Sequence, residues 1–211
     1  MRRVLLLGAT GLVGSELLAQ LFADRSISQI VTISRRPLPN SRVESHVFPL
    51  EEMHAYPDLF ETDEIFCALG TTIKKAGSRE EFRRIDHDLP LEAADLGRQH
   101  GAGQFLLVSA LGADSSSRIF YNRVKGELED DLRTLGYPSI TMARPSLLLG
   151  PRSERRAGEE IAKKLSWLTP SRYQPIEASA VARALVDAAR EGRPGVRILE
   201  SREMRGGRDA H

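Results

Sequence analysis

The sequence predicts an α/β fold, a doubly wound parallel sheet with a small C-terminal elaboration, and three observations carry that prediction. Short apolar runs alternate with helix-period stretches along most of the chain. The first apolar run leads directly into a glycine turn, Gly8-Ala9-Thr10-Gly11-Leu12-Val13-Gly14. Ser109 stands at the end of a later run, and Tyr121 and Lys125, four residues apart, follow it on a helical stretch.

Arg3-Val4-Leu5-Leu6-Leu7 suits a strand buried on both faces. Leu12 to Phe22 has helical spacing, with Leu17, Leu18 and Leu21 on one side. The glycines thus sit between strand and helix. There Gly8 allows a tight turn, Gly11 lets the backbone approach a pyrophosphate, and Gly14 permits close helix-to-strand packing. The free N–H groups of the helix start attract phosphate. The spacing is G-x-x-G-x-x-G rather than G-x-G-x-x-G, and a structural turn that binds nothing is the competing reading. Further strands are read at Gln29 to Ser34, Arg42 to Phe48, Glu64 to Ala68, Gln104 to Ser109, Ser139 to Ala143 and Val196 to Glu200, with helices between most of them. Ser78 followed by Glu81 forms a capping-box signal, Pro90 restarts that helical region, and Gly136 is placed to end the helix carrying Tyr121. Arg144 to Pro151 reads as a loop, Gly158 to Leu165 and Ala178 to Arg190 as helices, and Ser201 to His211 as a polar tail.

With 211 residues the chain can bury a sizeable core and reads as one domain, 1–211, of which about 150–211 is the substrate-side elaboration and tail. Thirty basic against 29 acidic side chains lack the excess of a nucleic-acid binder. His46, His54, His87, His100 and His211 show no metal-ligand spacing, so surface or local roles are expected and no metal. Met1-Arg2-Arg3 precedes an apolar stretch as in a secretion signal, but glycines interrupt that stretch and Glu16 follows it. No apolar segment reaches bilayer-spanning length. The lone Cys67 cannot form an internal disulfide. A cytoplasmic protein with neither nucleic-acid nor membrane partner is the expectation, its oligomeric state open.

The second strand bears on which dinucleotide is bound. An Asp or Glu near its carboxyl end would take the ribose hydroxyls of NAD, whereas an Arg there accommodates a 2′-phosphate. Ser34-Arg35-Arg36 occupies the place, without a carboxylate and with two forked cations. NADP(H) is favoured over NAD(H); an arginine pair solvated before Pro37 is the alternative.

A spacing of four sets Tyr121 and Lys125 on one helix face. A free phenol titrates near pH 10, too high for an easy base, but an adjacent ammonium and an oxidised nicotinamide favour phenolate. Tyr121 would exchange a proton with a substrate oxygen while hydride moves to or from the nicotinamide, and Ser109 would hydrogen-bond the carbonyl. The bland readings are a core tyrosine, a solvated lysine and a strand-end cap.

These residues resemble the short-chain dehydrogenase/reductase superfamily in its atypical branch, and more narrowly the oxidoreductase family of the HIV Tat-interacting tumour-suppressor protein and its bacterial relatives. The resemblance runs through GATGLVG at 8–14, SRR at 34–36, CALGTT at 67–72, RIDHD at 84–88, VSALGAD at 108–114, YNRVKGELE at 121–129 and ARPSLLLGPR at 143–152. It implies a Rossmann-like fold binding NADPH, with Gly8, Thr10, Gly11, Leu12, Val13 and Gly14 at the pyrophosphate and Arg35 and Arg36 at the adenosine phosphate. It further implies Leu69 and Gly70 on the adenine-ribose side, Tyr121 and Lys125 as the active pair, Leu148 near the nicotinamide and Arg156 reaching the cofactor region. Many members carry an Asn in a proton relay where Arg84-Ile85-Asp86-His87-Asp88 offers Asp86. The C-terminal part is short beside the substrate domains of sugar-nucleotide epimerases, which disfavours a bulky nucleotide-sugar. Two functions follow: an NADPH-dependent oxidoreductase acting on a small carbonyl or alcohol, or an NADPH-binding redox sensor with little turnover and a protein partner.

Overall fold

The computed structural model describes residues 1–35, 37–38, 43–149 and 174–205. Its strands are β1 (Arg2–Leu7), β2 (Ile27–Ser34), β3 (Val43–Val47), β4 (Glu64–Cys67), β5 (Gln104–Val108), β6 (Ser139–Arg144), β7 (Leu148–Leu149), β8 (Ile176–Glu177) and β9 (Gly195–Glu200). Seven of them form one parallel sheet in the order β3-β2-β1-β4-β5-β6-β9, and β7 with β8 makes a separate short pair. The order changes direction between β1 and β4. At such a switch point the carboxyl ends of two neighbouring strands diverge into a crevice, where open sheets of this kind bind ligands.

Strand alternation divides the core into two faces. Val4, Leu6, Phe66 and Leu106 point to the face covered by α1 (Leu12–Ala23), whose Leu17 and Leu21 are fully buried there. Leu5, Leu7, Ile65, Phe105 and Leu107 point to the other face. Each such burial contributes about 1.5–3 kcal/mol, enough to fix the strand register against slippage.

Two short helices, α2 (Ile73–Ala76) and α3 (Arg79–Arg83), precede a π-turn at Arg84–Asp88 that runs into α4 (Leu89–Gln99). Ser78 caps α3 by accepting from the Glu81 N–H at 3.0 Å, as its position predicts, but the Glu81 carboxylate turns to Arg84 instead of closing the box. Pro90 lies in the first turn of α4. α5 (Phe120–Thr134) buries Leu128 and Leu132 against the second face, and the left-handed Gly136 follows its end.

In the last third the helix read at 178–190 and the strand read at 196–200 are both present. α6 (Ala178–Glu191) and β9 are integral layers of the main architecture: Val181 and Leu185 pack with α1, and β9 pairs with β6. The supposed polar tail begins with α7 (Ser201–Arg205), which buries Ser201 and Met204 and is tied to Ser146 at 2.8 Å. One apolar side chain in a polar run gives no periodic signal, so tertiary contact decided that helix. The loop read at 144–151 holds β7, and the helix read at 158–165 lies outside the described residues. Among the described residues no helix is long and apolar enough to cross a membrane.

Candidate active site

The glycine turn is built tightly against β4. Gly8 has φ +81°, and a Cβ there would lie 2.5 Å from the Ala68 carbonyl oxygen. At Gly14 a Cβ would come within 1.9 Å of the Gly8 carbonyl oxygen, so the first turn of α1 rests directly on the end of β1. No side chain caps α1 and no acid stands in its first turn. The positive end of the helix is thereby left for an anion, and Thr10 and Gly11 are exposed beside it, with Leu12 partly so. Val13 is buried and anchors the turn from beneath. These residues fit the pyrophosphate of a dinucleotide.

Arg35 directly follows β2, beside β1, and is exposed with no ion pair among the described residues. Arg36 and Arg156 lie outside the described residues. Leu69 and Gly70 continue from Ala68 over the crevice, and Leu148, half-buried in β7, packs at the edge of the first core face.

Tyr121 and Lys125 share one face of α5 as their spacing requires. The tyrosine ring leans on Phe82 of α3, centroids 5.4 Å apart. Lys125 is buried, and its Nζ lies 2.7 Å from Asp86 Oδ1 in the π-turn. Asp86 Oδ2 in turn accepts the Thr71 N–H at 2.8 Å. Burial alone pulls the ammonium's pKa down, but the Asp86 carboxylate and then Tyr121 outweigh it, leaving Lys125 above its ordinary value. The Tyr121 phenol is pushed up by burial, with Lys125 pulling down and Asp86 pushing up. Without nucleotide the phenol therefore stands above its ordinary value chiefly because it is buried, and the expected phenolate, favoured by Lys125 together with an oxidised nicotinamide, belongs to the nucleotide-bound site.

Ser109 also needs correction. Its Oγ donates to Glu129 Oε1 at 2.6 Å, and Arg144 holds both oxygens of the same carboxylate at 3.0 and 2.6 Å. Glu129 is eight residues beyond Tyr121, roughly 12 Å of helix rise. The hydroxyl proton goes to the third turn of α5 rather than toward the first, which carries Tyr121. The next residue, Ala110, offers no hydroxyl. A cavity of about 390 Å³ borders this cluster, lined by Ala113, Asp114, Ser115, Gly126, Glu129, Asp130 and Arg144, without Tyr121 or Lys125.

Sequence reasoning missed the Glu129 cluster and the direct pairing of Asp86 with Lys125. Glu129 stands at spacing four after Lys125, and that continuation of the Tyr121–Lys125 face was the available signal. His87 is buried between Asp88 at 2.8 Å and Asp131 at 2.9 Å, a local role; no group suited to a metal occurs among the described residues.

No family model matches the chain. It is 34% identical over 200 residues to protein FMP52, mitochondrial, of Candida albicans, covering 89% of this chain and 87% of that protein. It is 35% identical over 178 residues to protein HTATIP2 of Rattus norvegicus, covering 82% and 73%. Among solved structures it is similar to MoeE5 in complex with UDP-glucose and NAD, at TM-score 0.74 and 18% identity over 93% of this chain and 75% of that one. It is also similar to the Bordetella bronchiseptica enzyme WbmH in complex with NAD+, at TM-score 0.73 and 15% identity over 95% and 76%. The fungal relatives named mitochondrial overturn the expectation of a cytoplasmic protein. Charge balance and core pattern describe a fold that is equally stable in several compartments, so they could not carry that inference.

Proposed function

For a chain that belongs to the family of HTATIP2 and the FMP52 proteins, among the atypical short-chain dehydrogenases/reductases, we propose an NADPH-dependent oxidoreductase acting on a small carbonyl or alcohol. The observation that carries this reading is the segment Ala68–Gly70. Its Ala68 end touches Gly8, and a Cβ on its Gly70 end would lie 3.4 Å from Asp86 and 3.8 Å from Lys125. Three residues thus join the phosphate cradle to the Tyr121–Lys125 pair.

When bound, the nucleotide supplies or accepts the hydride. Gly8 to Gly14 hold its pyrophosphate, and exposed Arg35 offers a fork to a 2′-phosphate. Lys125 holds a ribose hydroxyl, and Tyr121 Oη passes the proton to or from the substrate oxygen.

A nucleotide-sensing protein with little turnover is the second reading. Ser109 favours it, because its hydroxyl is committed to Glu129. Calorimetric titration with NADPH and NADH, followed by a panel of aldehydes, ketones and quinones, tests both readings. Tighter NADPH binding and consumption that Tyr121→Phe abolishes support the oxidoreductase. Equal affinities would remove the 2′-phosphate assignment, and a barren panel with a nucleotide-dependent protein partner would reverse the order.

A further inference from the structure

The first turn of α5 carries more than Tyr121. Phe82, wholly buried on α3, lies against both the Tyr121 ring at 5.4 Å and the Phe120 ring at 5.7 Å between centroids. Arg79 stands three residues before Phe82, hence on the same face of α3, and its guanidinium is 5.1 Å from the centre of the Phe120 ring. The Arg123 guanidinium approaches the same ring at 5.7 Å. A cation and an aromatic face attract each other, so the ring holds each guanidinium in place without neutralising its charge.

The two arginines differ in what else they touch. Arg123 donates to the Ser117 carbonyl at 3.0 Å and faces Glu127 at 3.8 Å, so its charge is partly answered. Arg79 is exposed and has no hydrogen bond or ion pair among the described residues. The nearby acids are engaged elsewhere: the Glu80 carboxyl is held low first by its own backbone N–H and then by the Ser78 hydroxyl, with Arg79 the weakest influence, while Glu81 pairs with Arg84 and Glu127 with Arg83. Lys74, Lys75 and Arg118 are likewise exposed with no ion pair among the described residues. Beside Tyr121 the Lys125 charge is matched by Asp86, whereas no carboxylate among the described residues pairs with Arg79. Positive charge thus stands open on the ring next to Tyr121.

We propose that Arg79 is a substrate-binding residue, and that the carbonyl compound taken by this site carries an anionic group, a carboxylate or a phosphate. The carbonyl half of this statement rests on the oxidoreductase reading; the anion half does not. Stacking on Phe120 occupies the flat face of the guanidinium and leaves its edge donors free, and those donors match two oxygens of a carboxylate or phosphate as a fork. Phe120 fixes where the fork stands relative to Tyr121, because the two rings follow each other on one helix turn and both pack on Phe82. A substrate of this class lays its anionic end on Arg79 and its carbonyl at Tyr121, with its carbon chain along the aromatic rings between them.

The test is calorimetric titration of the full chain with and without NADP+, which has no hydride to give, so that binding is read apart from turnover. Two pairs of probes are used, levulinate with methyl levulinate and glycolaldehyde phosphate with glycolaldehyde. In at least one pair the charged member should bind about tenfold more tightly or better, the worth of a charge-assisted hydrogen bond, and the pair that shows it tells carboxylate from phosphate. Arg79→Met keeps an apolar stem on Phe120, removes the charge and should erase the preference. Arg79→Lys, a charge without a fork, should keep part of it. Equal affinities within both pairs, or no binding of either charged probe, overturn the proposal, and so does a preference that survives Arg79→Met. NADPH consumption is followed separately with the same probes: a charged probe that binds through Arg79 and is not reduced counts against the oxidoreductase reading and leaves the anion site standing.

Discussion

At Ser109 a motif residue and its expected role come apart. Its hydroxyl belongs to a buried cluster with Glu129 and Arg144, where a carboxylate without donors would carry a heavy desolvation cost. Arg144 and, at 3.6 Å, Arg133 supply the charge, and Ser109 adds a neutral donor. Ser109→Ala should accordingly destabilise the protein by about 1.5–3 kcal/mol, the worth of a hydrogen bond to a charged group, while changing any Tyr121-dependent turnover less than about tenfold. Chemical denaturation beside initial rates decides the matter. A loss of turnover beyond about a hundredfold at unchanged stability would mean that the hydroxyl reaches the substrate after all. The serine was legible as a strand-end residue, but its partner stands twenty positions away on α5, and no local pattern announces which way a hydroxyl turns.

Element by element, the turn between β1 and α1 was the most legible part, because the close approach it makes is one that only glycine tolerates. Gly14→Ala would drive a methyl group into the Gly8 carbonyl. Overpacking of this kind costs about 1–3 kcal/mol and should also abolish nucleotide binding, since the helix start must shift. Measured stability and a titration with NADPH test the two effects together; an unaltered dissociation constant would disconnect the turn from the phosphate. At the opposite end of the sheet, β4 begins with Glu64, wholly buried, paired to Arg2 at 2.5 Å and with its second oxygen unpartnered among the described residues. Its register neighbour Gln104 has an equally unpartnered amide oxygen. Burial raises the Glu64 carboxyl from 4.5 to about 7, against the pull of Arg2. The folded protein then holds a proton that the unfolded chain has already released, so stability should fall as pH rises from about 4.5 to about 7, by on the order of 2–3 kcal/mol. Glu64→Gln should flatten that slope, because an amide does not titrate in this range. Urea midpoints across this range are the measurement, and an unchanged slope in the variant would place the titration elsewhere.

For the whole molecule, ligand binding and stability are linked, and the parallel sheet offers its cradle at the point where α1, β4 and α5 converge. A nucleotide that binds only the folded protein at a hundredfold excess over its dissociation constant adds about 2.7 kcal/mol. For a chain of this size the corresponding rise in melting temperature is roughly 5–11 °C. NADPH should give the larger rise, NADH the smaller, and Arg35→Asp should erase the difference. Identical shifts in the unmodified protein would return Arg35 to the status of a solvated cation.

Periodicity alone sufficed for the sheet: buried runs such as Val4–Leu7 and Gln104–Val108 can be satisfied only between two helical layers, so their apolar pattern dictates both strand and burial. Backbone geometry sufficed for the glycine turn, and helical spacing for setting Tyr121 beside Lys125. Partnership across the fold was decided only in three dimensions. Asp86 lies 39 positions from Lys125 and Glu129 lies 20 from Ser109, and the sign of the charge around Tyr121 depends on which carboxylate the packing brings to which cation. α7 is of the same kind, a polar run made helical by the burial of Met204. Local sequence encodes which conformations and faces a segment prefers, since those preferences are set within a few residues. Long-range electrostatics and satisfied polar contacts depend on distances that exist only once the layers have closed.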